Sequence, residues 1–160
     1  MNSPEQRYEI EYNKVYSFDI SGTYSFGSLP AQSLNDIFKD GRVASHLLEP
    51  QLELWFPELK HVKGCKGHDH IHRTDDRLFD AKNFTKNGCK FMPSNMIGSG
   101  RKFDEEVFIE KVKDMSYIVC DIVEFPKIRV VFKEGVELAR QYMKGAIPLS
   151  GRKVVFCEES

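Results

Sequence analysis

67-GHDHIHRTDDRLFDAKNF-84 packs three histidines, four aspartates and one lysine into a short span. Its reading decides both the fold and the chemistry. The stretch reads as a hairpin. 59-LKHVKGCKGHDHIH-72 is an extended arm, 73-RTDDR-77 a turn and 78-LFDAKNF-84 the returning strand. Side chains alternate faces along a strand, so Asp80 and Lys82 point one way while Phe79, Ala81 and Asn83 point the other. A turn centred on Asp75–Asp76 sets Asp69 opposite Lys82. Asp69, Asp80 and Lys82 then share one face, with Ile71 beside them, and His68, His70 and His72 take the opposite face. A slip of one residue would separate the carboxylates from the lysine.

Outward from the hairpin, the chain alternates helical and extended patterns. Upstream, Val43, Ala44, Leu47, Leu48, Leu52 and Trp55 recur at helical spacing and predict a helix over about 41–56, kinked at Pro50 and ended by Pro57. Before it, 33-SLNDIF-38 predicts a short helix capped by Ser33, and 7-RYEIEYNKVYSFDIS-21 reads as strand or irregular structure. Downstream, 85–102 reads as loop. Residues 103-FDEEVFIEKVKDM-115 form a helix with acids in its first turn and lysines near its end. Then 116-SYIVCDIVEF-125 and 127-KIRVVF-132 are strands, 133-KEGVELARQYMKG-145 is a helix and 151-GRKVVFCEE-159 a closing strand. This order predicts an α/β fold, a mixed central β-sheet flanked by helices.

The whole chain sets bounds on the partner. Its 160 residues fit one domain, with 41% hydrophobic and 29% charged residues, an ordinary globular balance. No apolar run is long enough to span a bilayer and no signal-peptide pattern opens the sequence. Cys65, Cys89, Cys120 and Cys157 form no CxxC pair, which suits reduced cysteine in the cytoplasm. Net charge is −1, but it is unevenly spread. Residues 1–59 carry four Lys or Arg against nine Asp or Glu, residues 60–102 ten against four, and residues 103–160 nine against eleven. The basic excess surrounds the hairpin; it is either the footprint expected of phosphate binding or a patch with which the acidic ends pair in the fold.

Two carboxylates beside a lysine suit a hard cation. Mg²⁺ prefers carboxylate oxygens, and its sites hold one or two carboxylates plus water and substrate phosphate. Such a metal polarises phosphorus and stabilises charge on a leaving oxygen, while the lysine steadies the transition state or assists deprotonation of water. The chemistry fits hydrolysis of a phosphodiester.

Asp69, ten intervening residues and then 80-DAK-82 resemble the PD-(D/E)xK nuclease signature. That superfamily includes type II restriction endonucleases, Holliday-junction resolvases and repair nucleases. The resemblance covers about residues 41–125, the catalytic core it implies, and differs in having His68 where the signature has proline. It implies a restriction-endonuclease-like fold with Asp69 and Asp80 as metal carboxylates, the Ala81 carbonyl as a further metal contact and Lys82 as the catalytic lysine. It also implies an acid on the preceding helix, for which Glu49 is the first candidate and Glu53 the second.

The histidines offer a zinc reading. His68, His70 and His72 would present imidazoles from one strand face, with Cys65 or Cys89 nearby, but CxxC, HxxxH and HxHxDH patterns are missing. For DNA contact, 85-TKNGCKFMPSNMIGSGRKFD-104 supplies Lys86, Asn87, Lys90, Asn95, Ser99, Arg101 and Lys102, and 148-PLSGRK-153 supplies Ser150, Arg152 and Lys153 on an expected turn. The expected protein is a Mg²⁺-dependent, sequence-specific double-stranded DNA endonuclease of the type II restriction class. The resemblance implies products with 5′-phosphate and 3′-hydroxyl ends. One active site per small subunit predicts a homodimer on a palindrome, with residues 1–32 and 126–160 as dimerisation or DNA-recognition elements. The alternatives are a structure-selective or repair nuclease of the same superfamily and a non-catalytic zinc or nucleic-acid-binding module. Substitution of His70 is expected to matter much less than that of Asp80 or Lys82.

Overall fold

A computed structural model of the chain describes residues 1–22, 25–62, 68–91 and 104–158. Its centre is a six-stranded mixed sheet in the order β1-β7-β6-β4-β3-β2. The strands are β1 (Tyr16–Asp19), β2 (Leu59–His61), β3 (His70–His72), β4 (Leu78–Phe84), β6 (Met115–Asp121) and β7 (Lys127–Glu134). β4 and β6 run parallel, and every other neighbouring pair is antiparallel. A separate two-stranded ribbon pairs β5 (Cys89–Lys90) with β8 (Ala146–Ile147). The helices are α1 (Ala31–Ile37), α2 (Gly41–Trp55), α3 (Glu105–Val112), α4 (Gly135–Gln141) and α5 (Arg152–Val155). The expected mixed α/β class is therefore observed. No helix among the described residues is long and apolar enough to cross a membrane.

β6 explains why this sheet has two covered faces. All seven of its residues are buried. Ile118 and Cys120 join one apolar cluster with Ala44, Leu48, Leu52 and Trp55 of α2, whereas Tyr117 and Val119 join another with Phe108 of α3, Leu138 of α4 and Phe156. Period-two alternation thus feeds both cores from one strand, and each fully buried large apolar side chain contributes about 1.5–3 kcal/mol.

α2 begins where the Asp40 carboxylate accepts the Arg42 N–H at 2.9 Å. The helix runs on through Pro50 to Trp55, the expected length. Trp55 stacks on Phe18 with ring centroids 3.9 Å apart, and its indole N–H donates to the Pro4 carbonyl at 2.9 Å. The N-terminal aromatic segment therefore belongs to the chain's own core. Tyr8, Ile10 and Tyr12 pack against the α2-side cluster.

Three expectations need correction. Residues 59–72 form two antiparallel strands rather than one, with His61 opposite His70. α1 is capped at Pro30, one residue before Ala31, and not at Ser33. Residues 151–158 do not extend. A 3-10 turn at Leu149–Gly151 leads directly into α5, which buries Val155 and Phe156 against the α3 and α4 side of the sheet.

Candidate active site

The hairpin of β3 and β4 is closed by a turn at residues 73–76. His72 N–H donates to the Arg77 carbonyl at 2.8 Å, and Asp76 N–H donates back to the His72 carbonyl at 3.1 Å. Asp76 takes a positive φ of 56°, a conformation Asp tolerates because its short polar side chain bonds locally. The Asp75 carboxylate accepts both the Arg77 N–H at 3.0 Å and its guanidinium at 2.9 Å. This turn sets the register at His70 opposite Phe79 and Ile71 opposite Leu78. Asp69 lies just outside β3 with its N–H turned to the Phe79 carbonyl, so it is not opposite Lys82 as expected. Its carboxylate comes within hydrogen-bond reach of Asp80, which shares one face of β4 with Lys82.

On that face the Asp69 carboxylate accepts the Ala81 N–H at 2.9 Å. The Asp69 N–H in turn donates to the Phe79 carbonyl at 3.0 Å. Asp80, its side chain only 15% exposed, pairs with the Lys82 ammonium at 2.9 Å. Burial raises the Asp80 carboxyl to about 7, and a hydrogen bond donated to Asp69 adds to this against the opposing charge of Lys82. The surrounding wall is buried. Tyr117, opposite Asp80 on β6, donates its hydroxyl to the Phe91 carbonyl at 3.3 Å, and its phenol is pushed up by burial and then by Asp80. Burial pushes the Cys89 thiol up to about 12, so it stays a protonated, apolar neighbour.

Glu49 comes from α2. Its carboxylate meets the His61 Nε2 at 3.3 Å. Burial, followed by the nearby Asp69 charge, raises its carboxyl above the ordinary range. Glu53, the second candidate, is engaged differently. It accepts the His61 N–H at 2.9 Å and the Arg73 guanidinium at 3.3 Å, fastening the hairpin to α2.

His70 and His72 fall on the face away from Asp80 and Lys82, as alternation requires. His70 is fully buried, and its Nε2 lies 2.8 Å from the Glu49 carbonyl. His72 Nε2 lies 2.8 Å from the Glu58 carboxylate, while its Nδ1 accepts from the Thr74 hydroxyl at 3.0 Å. His68 is half-buried. Among the described residues, no group of three or more His, Cys, Asp and Glu side chains is arranged to hold a metal ion by itself. Asp69 and Asp80 are a two-carboxylate set, the number a magnesium site uses when waters and phosphate oxygens complete the shell. Their carboxylates come within hydrogen-bond reach of each other and are the hard oxygen donors such an ion takes, so these residues fit it.

The candidate DNA contacts divide three ways. Lys86 and Asn87 are exposed on the turn after β4, and Lys90, Ser150 and Lys153 are exposed beyond it. Arg152 is not free as expected. Its guanidinium donates to Asp121 at 2.9 Å and to Glu124 at 3.4 Å. Asp121, only 2% exposed, also receives Arg129 at 2.7 and 2.9 Å, and Arg129 reaches Glu158. Arg152 therefore helps satisfy a buried carboxylate. Asn95, Ser99, Arg101 and Lys102 lie outside the described residues, as does Cys65. His61, which sequence reading passed over, stands at the centre of the α2 contacts. It is a lone histidine on a short strand, and its only sequence signal is its distance from the hairpin turn.

Comparison of the chain with protein-family models, with curated proteins and with solved structures returned no match.

Proposed function

We propose that this chain is a Mg²⁺-dependent double-stranded DNA endonuclease of the PD-(D/E)xK type, with a restriction-endonuclease-like core over about residues 41–125. The observation that carries the reading is one arrangement. The Asp69 carboxylate, just ahead of β3, meets Asp80 of β4, Lys82 lies 2.9 Å from Asp80 on the same strand, and Glu49 approaches Asp69 from the preceding helix. A helix, a hairpin and a buried strand in this order are what the resemblance implies.

Mg²⁺ bound at Asp69, Asp80 and the Ala81 carbonyl would supply positive charge for the phosphate oxygens. The protein's own groups do the rest. Asp69 and Asp80 would hold the cation as carboxylates, so the proton that burial favours on Asp80 would have to leave first. Lys82 holds its ammonium at the Asp80 carboxylate and faces the position of the scissile phosphate, where it stabilises developing negative charge and orients the attacking water. The buried wall of Tyr117 and Cys89 keeps competing water from Asp80. Lys86, Asn87 and Lys90, exposed beyond the end of β4, provide donors for the DNA backbone. In-line attack leaves a 5′-phosphate and a 3′-hydroxyl. A type II restriction enzyme acting as a cytoplasmic homodimer on a palindrome is the form of this reading that a small subunit with one site fits best.

The test is digestion of a long, fully sequenced linear DNA with Mg²⁺ and with EDTA. Discrete Mg²⁺-dependent fragments with 5′-phosphate ends are expected. A smear rejects sequence specificity, and cutting confined to branched DNA moves the assignment to a structure-selective nuclease. No cutting of any DNA in Mg²⁺ overturns the reading.

A further inference from the structure

The three-histidine stretch is not used by the proposed chemistry, yet one of its members is among the most buried polar residues of the chain. His70 is fully buried. Its Nε2 lies 2.8 Å from the Glu49 carbonyl, an acceptor only, so Nε2 carries the proton. Nδ1 is then a bare acceptor, and it has no hydrogen-bond partner among the described residues. An apolar side chain would fill this place without leaving a buried nitrogen unmatched. His61 faces His70 directly across the β2–β3 ladder, with the rings 5.2 Å apart. Its own Nε2 meets the Glu49 carboxylate at 3.3 Å.

Both imidazoles therefore grip the same residue of α2, one at its carbonyl and one at its carboxylate. The position on the helix matters. Pro50 follows Glu49 and has no N–H, so α2 lacks the bond that residue 50 would give to the His46 carbonyl. The missing bond is one turn before the Glu49 carbonyl, and the hairpin attaches an outside donor at that carbonyl. His70 is also the residue after Asp69. The spacing of Glu49 from Asp69 is thus set by one peptide step and one hydrogen bond. The Asp69 carboxylate is in turn tied to the Ala81 N–H.

We infer that His70 and His61 are positioning residues that hold Glu49 in place beside Asp69, so that α2 contributes to the cation site of the DAK strand. The inference rests on the metal-site reading above and adds to it the role of the histidine-bearing hairpin. Neither imidazole touches the metal or the DNA in this account. Both act through Glu49, as outer-shell partners do in other metal sites.

The test is direct Mn²⁺ binding, followed by electron paramagnetic resonance of the free ion, without DNA and without any activity readout. Wild type, Glu49→Ala, His70→Leu and His70→Gln are compared, each checked for folding by circular dichroism. Leu fills the cavity but cannot donate, whereas Gln restores an N–H donor. His70→Leu is expected to weaken Mn²⁺ binding by about tenfold, as Glu49→Ala does, and His70→Gln to return most of the affinity. Wild-type affinity in folded His70→Leu, or a His70→Gln variant as weak as His70→Leu, overturns the inference. If His70→Leu does not fold, the comparison passes to the less buried His61. His61→Phe should then lose affinity that His61→Gln keeps, and equal affinity in the two overturns it. A wild-type chain that binds no Mn²⁺ overturns the metal-site reading itself, and that result is visible before any variant is made.

Discussion

The Asp69 carboxylate accepts the backbone N–H of Ala81 at 2.9 Å, so the first acid of the candidate site is fastened to the residue between Asp80 and Lys82. Its charge and its hydrogen bond are separable. Asp69→Asn keeps an oxygen for Ala81 and loses the charge that raises Asp80. The Asp80 carboxyl, followed by carbon-detected NMR titration, should move down from about 7 toward its ordinary value of 3.8. An Asp80 titration unchanged in Asp69→Asn would mean that burial alone sets it.

The raised Asp80 makes a statement about stability. Its folded value of about 7 lies above the ordinary 3.8, so between these values the folded chain holds a proton that the unfolded chain has lost. This stabilising contribution is full below about pH 4, declines as pH rises through 4 to 7 and is gone above. Its ceiling is about 4 kcal/mol for a shift of this size. In metal-free buffer, Asp80→Asn should remove that slope and be more stable than wild type at pH 8. Urea denaturation at pH 4.5, 6 and 8 checks this, and parallel curves for the two proteins would contradict it.

Lys82 sits 2.9 Å from Asp80 and is its cationic partner. Lys82→Met keeps the stem and removes the charge. Cleavage should fall by at least about a hundredfold, as when a positioned electrostatic group is lost, while DNA affinity measured in Ca²⁺ stays near wild type. Equal loss of binding and cleavage would assign Lys82 to DNA contact instead.

Arg152 shares the buried Asp121 with Arg129. Arg152→Ala should destabilise the fold by about 1–3 kcal/mol, because Asp121 loses a charged donor in a nearly dry site. Lys153→Ala, next along and exposed, should leave stability within about 0.5 kcal/mol. Urea midpoints of the two variants test the distinction, and equal midpoints would count against it.

Gly88 has a φ of +90°, and a Cβ built there would stand 2.2 Å from the Ile147 carbonyl oxygen. Gly88→Ala should disrupt the β5–β8 ribbon and destabilise the protein by about 2 kcal/mol or more. Amide exchange of Cys89 and Lys90 should speed up in this variant. Protection equal to wild type would show that the ribbon does not depend on the close approach.

The sequence made some of this architecture visible and hid the rest for identifiable reasons. β4 spans Leu78–Phe84, as its alternation indicates, and α2 spans the apolar period ending at Trp55. The shared face of Asp80 and Lys82 was legible because they lie two residues apart on one strand. Asp69 joins them from just outside β3, a placement that alternation alone does not dictate. The register itself was not legible, since the Asp75 contacts that place the turn involve Arg77 beyond it. The C-terminal Val154, Val155 and Phe156 look extended, yet α5 is held by the Arg152 link to Asp121, some thirty residues away in the chain. The link of His61 to Glu49 was hidden likewise, because β2 and β3 pair antiparallel where the sequence reads as one extended arm. Long-range ion pairs and hydrogen bonds leave no local periodicity to read.

Asp80 is the residue on which the proposed metal-dependent nuclease site turns. It is tested by cleavage of one long DNA in Mg²⁺ by wild type, Asp80→Ala and His70→Gln, with DNA binding of each followed in parallel. Mg²⁺-dependent fragments are expected from wild type, nearly the same from His70→Gln, and none from Asp80→Ala despite retained binding. Cleavage by Asp80→Ala at the wild-type rate, or no Mg²⁺-dependent cleavage by the wild-type chain, would contradict it.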